Sequence, residues 1–91
     1  MTKHLGHQDY INQLINKIDG VYDSIETNVE YDGGEIDLIG HIGNMIDIYE
    51  VKCHGHKNHA INQLRKAKNK FRSEVKRTFF YDGRLGKLEM V

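Results

Sequence analysis

The chain has 91 residues and a mass of 10.6 kDa, which fits one domain with one hydrophobic core and excludes a large multidomain enzyme. Hydrophobic residues make up 38% and charged residues 29% of the sequence, a balance typical of a folded globular chain. Cys53 is the only cysteine, so a disulfide framework and a four-cysteine zinc site are excluded. The N-terminal residues lack the apolar stretch of a secretion signal, and no run approaches the roughly 20 apolar residues of a membrane helix. We therefore expect a cytoplasmic, intracellular protein that binds no membrane.

The net charge of zero conceals two blocks of opposite sign. All charged residues from Asp19 to Glu50 are Asp or Glu, with no Lys or Arg among them. From Lys52 to Arg77, all charged residues except Glu74 are Lys or Arg. Such a pair of segments is suited to holding a divalent cation beside a polyanion. Two charged surfaces that merely attract each other would give the same pattern.

A first amphipathic helix is predicted over residues 4–18. Its apolar residues recur at the i, i+3, i+4, i+7 spacing of one helix face: Ile11, Leu14, Ile15 and Ile18. Gly20 follows, where a left-handed C-terminal cap is expected. Residues 25–31 then alternate between apolar and polar, which predicts a half-buried strand.

Two further strands extend this one into a meander. The turn at residues 32–34, Asp-Gly-Gly, leads into a second strand from Glu35 to about Ile42. Gly43-Asn44 forms another tight turn, and the third strand runs from Met45 to near Cys53.

A second helix follows, with Asn58 as its predicted N-cap and Lys and Arg on its exposed face. Its apolar stripe comprises Ile61, Leu64, Ala67, Phe71 and Val75. Residues 78–81 and 88–91 read as strands flanking turns at Gly83 and Gly86. The order is helix, three strands, helix, and one or two strands. One compact α/β domain over residues 1–91 accounts for all of it.

The second and third strands carry charges in positions that are costly to bury. Alternation places Glu35 and Asp37 on one side of the second strand, opposite Ile36 and Leu38. In the third strand, Glu50 and Lys52 share a side with apolar residues, Ile46 and Ile48. Desolvating such groups costs several kcal/mol unless they are paired or bind an ion. The pattern indicates either a functional site or a cross-strand ion pair.

The segments Gly-Glu-Ile-Asp-Leu-Ile at residues 34–39 and Ile-Tyr-Glu-Val-Lys at residues 48–52 resemble the core motif of the PD-(D/E)xK nuclease superfamily, especially its archaeal Holliday junction resolvase branch. The resemblance covers nearly the whole chain. It implies a restriction-endonuclease-like core, in which two helices flank a mixed central β-sheet in the order αβββαβ, with room for one extra C-terminal strand. It also implies a metal-dependent endodeoxyribonuclease that hydrolyses phosphodiester bonds in structured DNA such as a four-way junction.

The resemblance also implies roles for individual residues. Asp37, Glu50 and the Val51 carbonyl would bind Mg²⁺ or Mn²⁺, cations that hard oxygen ligands suit. Lys52 would position or activate the attacking water. Gln63 matches a helix-borne glutamine that supports the lysine, although an ordinary exposed helical glutamine is the alternative.

The sequence departs from this family at the first helix, where resolvase-like members place a glutamate as a further ligand. His7, Gln8 and Asp9 are the candidates here. His7 lies on the stripe with Ile11, whereas Asp9 projects to the opposite side by helical phase. Either His7 substitutes or the ligand is absent. Glu35 is a further candidate for a compensating carboxylate, or simply a surface residue.

Cysteine and histidine residues crowd the loop after the third strand, at positions 53, 54, 56 and 59. These are the ligand types that zinc prefers, but structural zinc sites usually join two separated ligand pairs. No second pair is evident, so a loop that contacts phosphate or solvent is the preferred interpretation over a zinc-dependent regulator.

The basic segment supplies the predicted DNA contacts, namely Lys57, Arg65, Lys66 and Lys70. Lys66 and Lys70 share the helix side of Gln63, so a phosphate backbone bound there would run toward the proposed metal. We expect branched or structured DNA as the partner and, from the resemblance and the small size, a homodimer. The alternative is a nucleic-acid-binding module of the same fold with weak or lost catalysis.

Overall fold

The computed structural model describes residues 5–53 and 56–91. Its helices are α1 (His7–Ile18) and α2 (Lys57–Phe71), and its strands are β1 (Ser24–Tyr31), β2 (Gly34–Ile42), β3 (Met45–Lys52), β4 (Val75–Asp82) and β5 (Lys87–Met90). A 3₁₀ turn, Arg72–Glu74, joins α2 to β4. The predicted order αβββαβ with one extra C-terminal strand is confirmed.

The five strands form a single mixed sheet in the order β1-β2-β3-β4-β5. Every neighbouring pair is antiparallel except β3 and β4, which are parallel. A parallel pair needs a crossover connection, and α2 provides it. The mixed central sheet predicted from the sequence is confirmed.

The helices cover opposite faces of the sheet and create two core layers. In the α1 layer, Ile11, Leu14 and Ile18 pack against Leu38, Tyr49, Val51 and Tyr81. In the α2 layer, Leu64 and Ala67 pack against Ile36, Ile39, Ile46 and Ile48. Apolar residues on both faces explain why β2 and β3 read as almost continuous hydrophobic runs.

The ends of the helices differ in part from the predictions. Gly20 adopts a φ of +85°, as a left-handed cap requires. The N-cap of α2 is His56, so the prediction of Asn58 was wrong. The helix ends at Phe71, because Arg72 takes a φ of +48°. Val75, predicted as part of the helix stripe, therefore begins β4. Its side chain still packs against the α2 layer. The start of the first predicted helix, residue 4, lies outside the described residues.

Strand β2 breaks its alternation at Asp37. Asn28, which lies opposite Asp37 between two paired positions, has a φ of +53°, a left-handed conformation that asparagine tolerates. Ile36 consequently packs in the α2 layer and Leu38 in the α1 layer. The expectation that these two residues share a side was wrong, since strict alternation holds only for a regular strand.

In the part of the chain that the structure describes, neither helix is long and apolar enough to cross a membrane.

Candidate active site

The candidate site lies where β2 and β3 separate. Their pairing ends at Leu38 and Tyr49, so the next residues of β3 have no backbone partner on β2. The Asp37 side chain fills this gap, and its Oδ2 accepts a hydrogen bond of 2.7 Å from the Val51 amide. Asp37 is 7% exposed. The divergence therefore places a carboxylate beside the backbone of residues 50–52.

Glu50 is the least satisfied charged residue of the site. It is 1% exposed, and its Oε1 atom has no hydrogen-bond partner among the described residues. Burial raises the pKa of Glu50 to about 9, and the negative charge of Asp37 adds to the shift, while Lys52 opposes it. Asp37 and Lys52 both act on the ionisation of Glu50. The raised pKa favours the protonated form of Glu50 when no cation is bound.

Asp47, on the same strand as Glu50, is a buried carboxylate whose oxygens accept several hydrogen bonds. It is fully buried, and Arg77 donates hydrogen bonds of 2.7–3.2 Å to its two oxygens. The Tyr22 hydroxyl donates another, at 2.6 Å. Its charge is therefore compensated within the chain. Glu50, three residues further along β3, keeps one oxygen without a partner among the described residues, and the contrast makes Glu50 a candidate functional carboxylate.

Among the three candidates on the first helix, His7 is the one that reaches the site. Its Nε2 atom is 2.9 Å from the Val51 carbonyl oxygen and 3.3 Å from Oδ2 of Asp37. Asp9 instead accepts a hydrogen bond from the Gly6 amide at the start of α1. Gln8 bonds Asn12 and Asn28 at the surface. Helical phase correctly separated His7 from Asp9, because the two residues lie on different sides of α1.

Glu35 does not have the environment of a ligand. It is exposed at the start of β2 and lies opposite Glu30 of β1. Glu35 and Asp37 were predicted to lie on one side of β2. Because the alternation of side chains breaks at Asp37, the basis for that prediction is lost.

Gln63 and the basic residues of α2 divide between two flanks of the helix. Gln63 is half-buried, and its Oε1 has no partner among residues 5–53 and 56–91. On the same flank Lys66 donates a 3.0 Å hydrogen bond to the Gly33 carbonyl, in the turn between β1 and β2. Lys70 follows one turn further on. This flank borders the hairpin that carries Asp37.

The other two predicted DNA contacts face elsewhere. Arg65 lines a groove of about 250 Å³ between α2 and β4, together with Lys68 and Thr78. Lys57 forms a 2.8 Å ion pair with Glu89 of β5. The structure therefore separates Arg65 and Lys57 from Lys66, which the sequence placed in one basic segment.

Tyr31 is a neighbour of the site that no motif in the sequence indicated. Burial raises the pKa of Tyr31, and the charge of Glu50 adds to the increase. The ring packs edge-to-face on Phe71, with 5.7 Å between centroids. Gly34 passes so close that a Cβ at this position would lie 2.9 Å from the tyrosine hydroxyl. A tyrosine directly before the Asp-Gly-Gly turn of residues 32–34 was the only signal in the sequence.

Donor chemistry at the site fits a divalent cation. Among the described residues, no three His, Cys, Asp or Glu side chains form a metal-binding group, so His7, Asp37 and Glu50 do not converge as a preformed metal site. The Val51 carbonyl is a further oxygen donor beside His7. Adjacent ligands of a six-coordinate Mg²⁺ lie about 3 Å apart, given metal–oxygen distances of about 2.1 Å. The His7 Nε2 distances to Val51 and Asp37 are of this size. A cation would also supply the partner that Glu50 lacks.

The cysteine and histidine loop contributes no comparable cluster. His54 lies outside the described residues. The rest of the loop, as far as the structure describes it, takes part in no metal-binding group of three His, Cys, Asp or Glu side chains.

Comparison with known proteins identifies the fold. No family model and no curated protein matches the sequence. Among solved structures, the chain is similar to one of an EndoMS–dsDNA2 complex, with a TM-score of 0.61 and 17% sequence identity. The match covers 89% of this chain and 37% of the other, so the chain corresponds to little more than a third of that neighbour. The likeness shows that this chain has a nuclease-like fold.

Proposed function

We propose that the protein is a metal-dependent endodeoxyribonuclease that hydrolyses phosphodiester bonds in structured DNA. The observation that carries this proposal is the buried Glu50 carboxylate, whose Oε1 has no hydrogen-bond partner among the described residues and whose pKa responds to both Asp37 and Lys52. Two acids and a lysine at the point where two strands diverge are suited to holding a cation and a water molecule beside a phosphate. The fold shared with a protein solved in complex with DNA supports the same substrate class.

The cation of this proposal is Mg²⁺ or Mn²⁺, held by Asp37, Glu50, the Val51 carbonyl and His7. When bound, it supplies Lewis-acid polarisation of the phosphate and neutralisation of its developing charge. His7 takes the ligand position for which no helix-one glutamate is present. To ligate through Nε2, the imidazole must carry its proton on Nδ1.

Lys52 and Gln63 act on the attacking water in this proposal. Lys52 holds the water by hydrogen bonding and lies on the same side of β3 as Glu50. Gln63 has a buried Oε1 without a partner among the described residues and supports the lysine by accepting a hydrogen bond from its ammonium group. The two residues orient the water.

DNA is proposed to approach along the flank of α2 that carries Lys66 and Lys70. Contacts from these residues to phosphates position a duplex without reading its bases. We propose branched DNA, such as a four-way junction, as the preferred substrate and a homodimer as the active form. A pair of identical sites matches the pairs of equivalent strands in a junction.

Cleavage assays on a panel of DNA shapes test this function. Purified protein is incubated with Mg²⁺ or Mn²⁺ and with four-way junction, flap, duplex and single-stranded DNA. We expect cleavage of branched DNA that EDTA abolishes and that Asp37→Asn and Lys52→Ala lose. If no DNA is cut with either cation, or if these variants cut as well as the wild type, the nuclease proposal is wrong.

A DNA-binding module without catalysis is the second candidate. The contacts of His7 favour it, because its Nε2 lies against two of the proposed ligand atoms. Metal titration separates the two functions. Mn²⁺ binding that depends on Asp37 and Glu50 supports the enzyme, whereas salt-sensitive DNA binding that no cation affects supports the module.

A further inference from the structure

Strand β5 forms an edge of the sheet and exposes apolar side chains. Its outer side has no neighbouring strand among the described residues. Leu88 is 38% exposed and Met90 67%, and Leu85 in the preceding turn is 71% exposed. An uncovered edge with apolar side chains is a template for pairing with another strand.

The hydrogen bonds of the β4–β5 hairpin show which backbone groups are available. The Val91 amide donates to the Thr78 carbonyl at 3.0 Å, so the backbone of residue 91 faces β4. In an antiparallel pair the facing direction alternates along the strand. The backbone groups of Lys87 and Glu89 therefore also face β4. Those of Leu88 and Met90 face outward, toward the free edge.

We propose that a second copy of this chain pairs with β5 in antiparallel orientation, with Leu88 opposite its own counterpart. This would join the two sheets into one of ten strands about a two-fold axis. The inference names the surface of the homodimer in the proposed function and rests on that part of it alone. It does not depend on catalysis.

The charges of β5 favour the pairing of Leu88 with Leu88 over a pairing that is shifted by two residues. With Leu88 opposite Leu88, each Lys87 lies opposite Glu89 of the other copy. These are non-hydrogen-bonded positions, where side chains approach most closely and opposite charges stabilise the pair. Shifting one copy by two residues would instead place Glu89 opposite Glu89 and bring like charges together. The sequence Lys-Leu-Glu is thus complementary to itself.

The two faces of the proposed junction differ in character. Leu88 is paired with Tyr81, and Met90 with Phe79, on the sheet face that α1 covers in part. Joining two copies brings their Leu88 side chains together on this apolar face. Lys87 and Glu89 lie on the opposite face, where Glu89 already accepts from Lys87 at 3.3 Å. The junction therefore has an apolar side and an ionic side.

A charge exchange tests the register. Sedimentation velocity is measured over a concentration series for the wild type, Lys87→Glu, Glu89→Lys and the double variant. We expect the wild type to dimerise. In each single variant the dissociation constant of the dimer should rise about tenfold or more, and in the double variant it should return toward the wild-type value. A wild-type chain that stays monomeric overturns the proposal and leaves this edge to a different partner. Dimerisation that neither single variant weakens overturns it as well.

A cysteine trap provides a second, independent readout. In the Cys53→Ser background, Leu88→Cys would place two thiols on the two-fold axis, with Cα atoms about 5.5 Å apart, within disulfide range. We expect mild oxidation to cross-link this variant fully. Val21→Cys, at an exposed position far along the chain, should not cross-link. Equal cross-linking of both variants argues against the β5 pairing. A dimer without nuclease activity would refute the proposed enzyme and leave this interface intact.

Discussion

The imidazole of His7 lies 2.9 Å from the Val51 carbonyl oxygen, although 44 residues separate the two in the chain. The same Nε2 atom is 3.3 Å from Asp37. The first helix thus contributes a nitrogen donor to a site whose other donors are oxygens. Imidazole suits transition-metal ions, whereas oxygen ligands suit Mg²⁺ and Mn²⁺ alike. If His7 ligates the proposed cation, we expect Mn²⁺ to be preferred over Mg²⁺, which is bound almost entirely by oxygen ligands.

Replacing His7 should change the cation preference. We expect His7→Ala to weaken Mn²⁺ binding about tenfold or more and to affect Mg²⁺ less, because the lost ligand is a nitrogen. Isothermal titration calorimetry with each metal in the absence of DNA measures this. Gln8→Ala, on the adjacent exposed residue, is the control. Equal losses for both metals would show that His7 acts only through structure.

Exchanging one carboxylate at a time should distinguish the site from the surface of β2. Asp37→Asn keeps the shape of the side chain and removes its charge, so we expect cleavage to fall by about two to four orders of magnitude. Glu35→Gln, two residues earlier and exposed, should cut within about twofold of the wild type. Single-turnover rates on one branched substrate provide the measurement. Comparable losses in both variants would contradict the placement of the site.

Glu50 should make the metal-free protein less stable as the pH rises. Its pKa is 4.5 in the unfolded chain and about 9 in the folded protein. Between these values the folded state holds a proton that the unfolded state has released. The free energy of unfolding therefore decreases with rising pH, by up to about 1.4 kcal/mol per pH unit.

Urea denaturation in EDTA between pH 5 and pH 9 tests this slope. We expect Glu50→Gln to flatten it and to be the more stable protein at pH 8, because a neutral amide cannot ionise. Mn²⁺ should stabilise the wild type most at high pH and leave Glu50→Gln almost unchanged. Parallel pH curves for the two proteins would mean that Glu50 is already compensated.

The flank of α2 beside Gln63 should carry the salt-dependent part of DNA binding. We expect Lys70→Ala to reduce the slope of log K against log salt by about one, since it removes one phosphate contact. Lys17→Ala, on the last turn of α1, removes the same charge away from this flank and should leave the slope unchanged. Fluorescence anisotropy with an uncut junction in Ca²⁺ measures both variants. Identical slopes would place the DNA elsewhere.

Local patterns predicted the secondary structure because the relevant forces act over a few residues. The stripe of Ile11, Leu14 and Ile18 fixed the buried face of α1, and all three are buried. The Gly-Asn pair at residues 43–44 placed the turn between β2 and β3. Errors occurred where one residue departs from regular geometry. Arg72 ends α2 before Val75. The irregular pairing at Asn28 places Ile36 and Leu38 on opposite faces of the sheet.

The candidate site was predictable as a set of residue types and much less as an arrangement. The motif named Asp37, Glu50 and Lys52, but charge and strand position alone do not distinguish Glu50 from Asp47, which lies on the same strand. Only the fold brings Arg77 and Tyr22 to Asp47 and leaves Oε1 of Glu50 without a partner among the residues that the structure describes. Burial and pairing depend on residues distant in sequence, so they are properties of the packed chain.

The sequence by itself determined the order of helices and strands, the chemical types at the site and the charge of each segment. The tertiary structure decided which of these groups meet. It brought His7 to Val51 and held Lys57 against Glu89, away from the other basic residues. The physical reason is one of range. Helix and strand preferences are set within one or two turns of chain, whereas the ionisation of Glu50 depends on the dielectric and charges that surround it after folding.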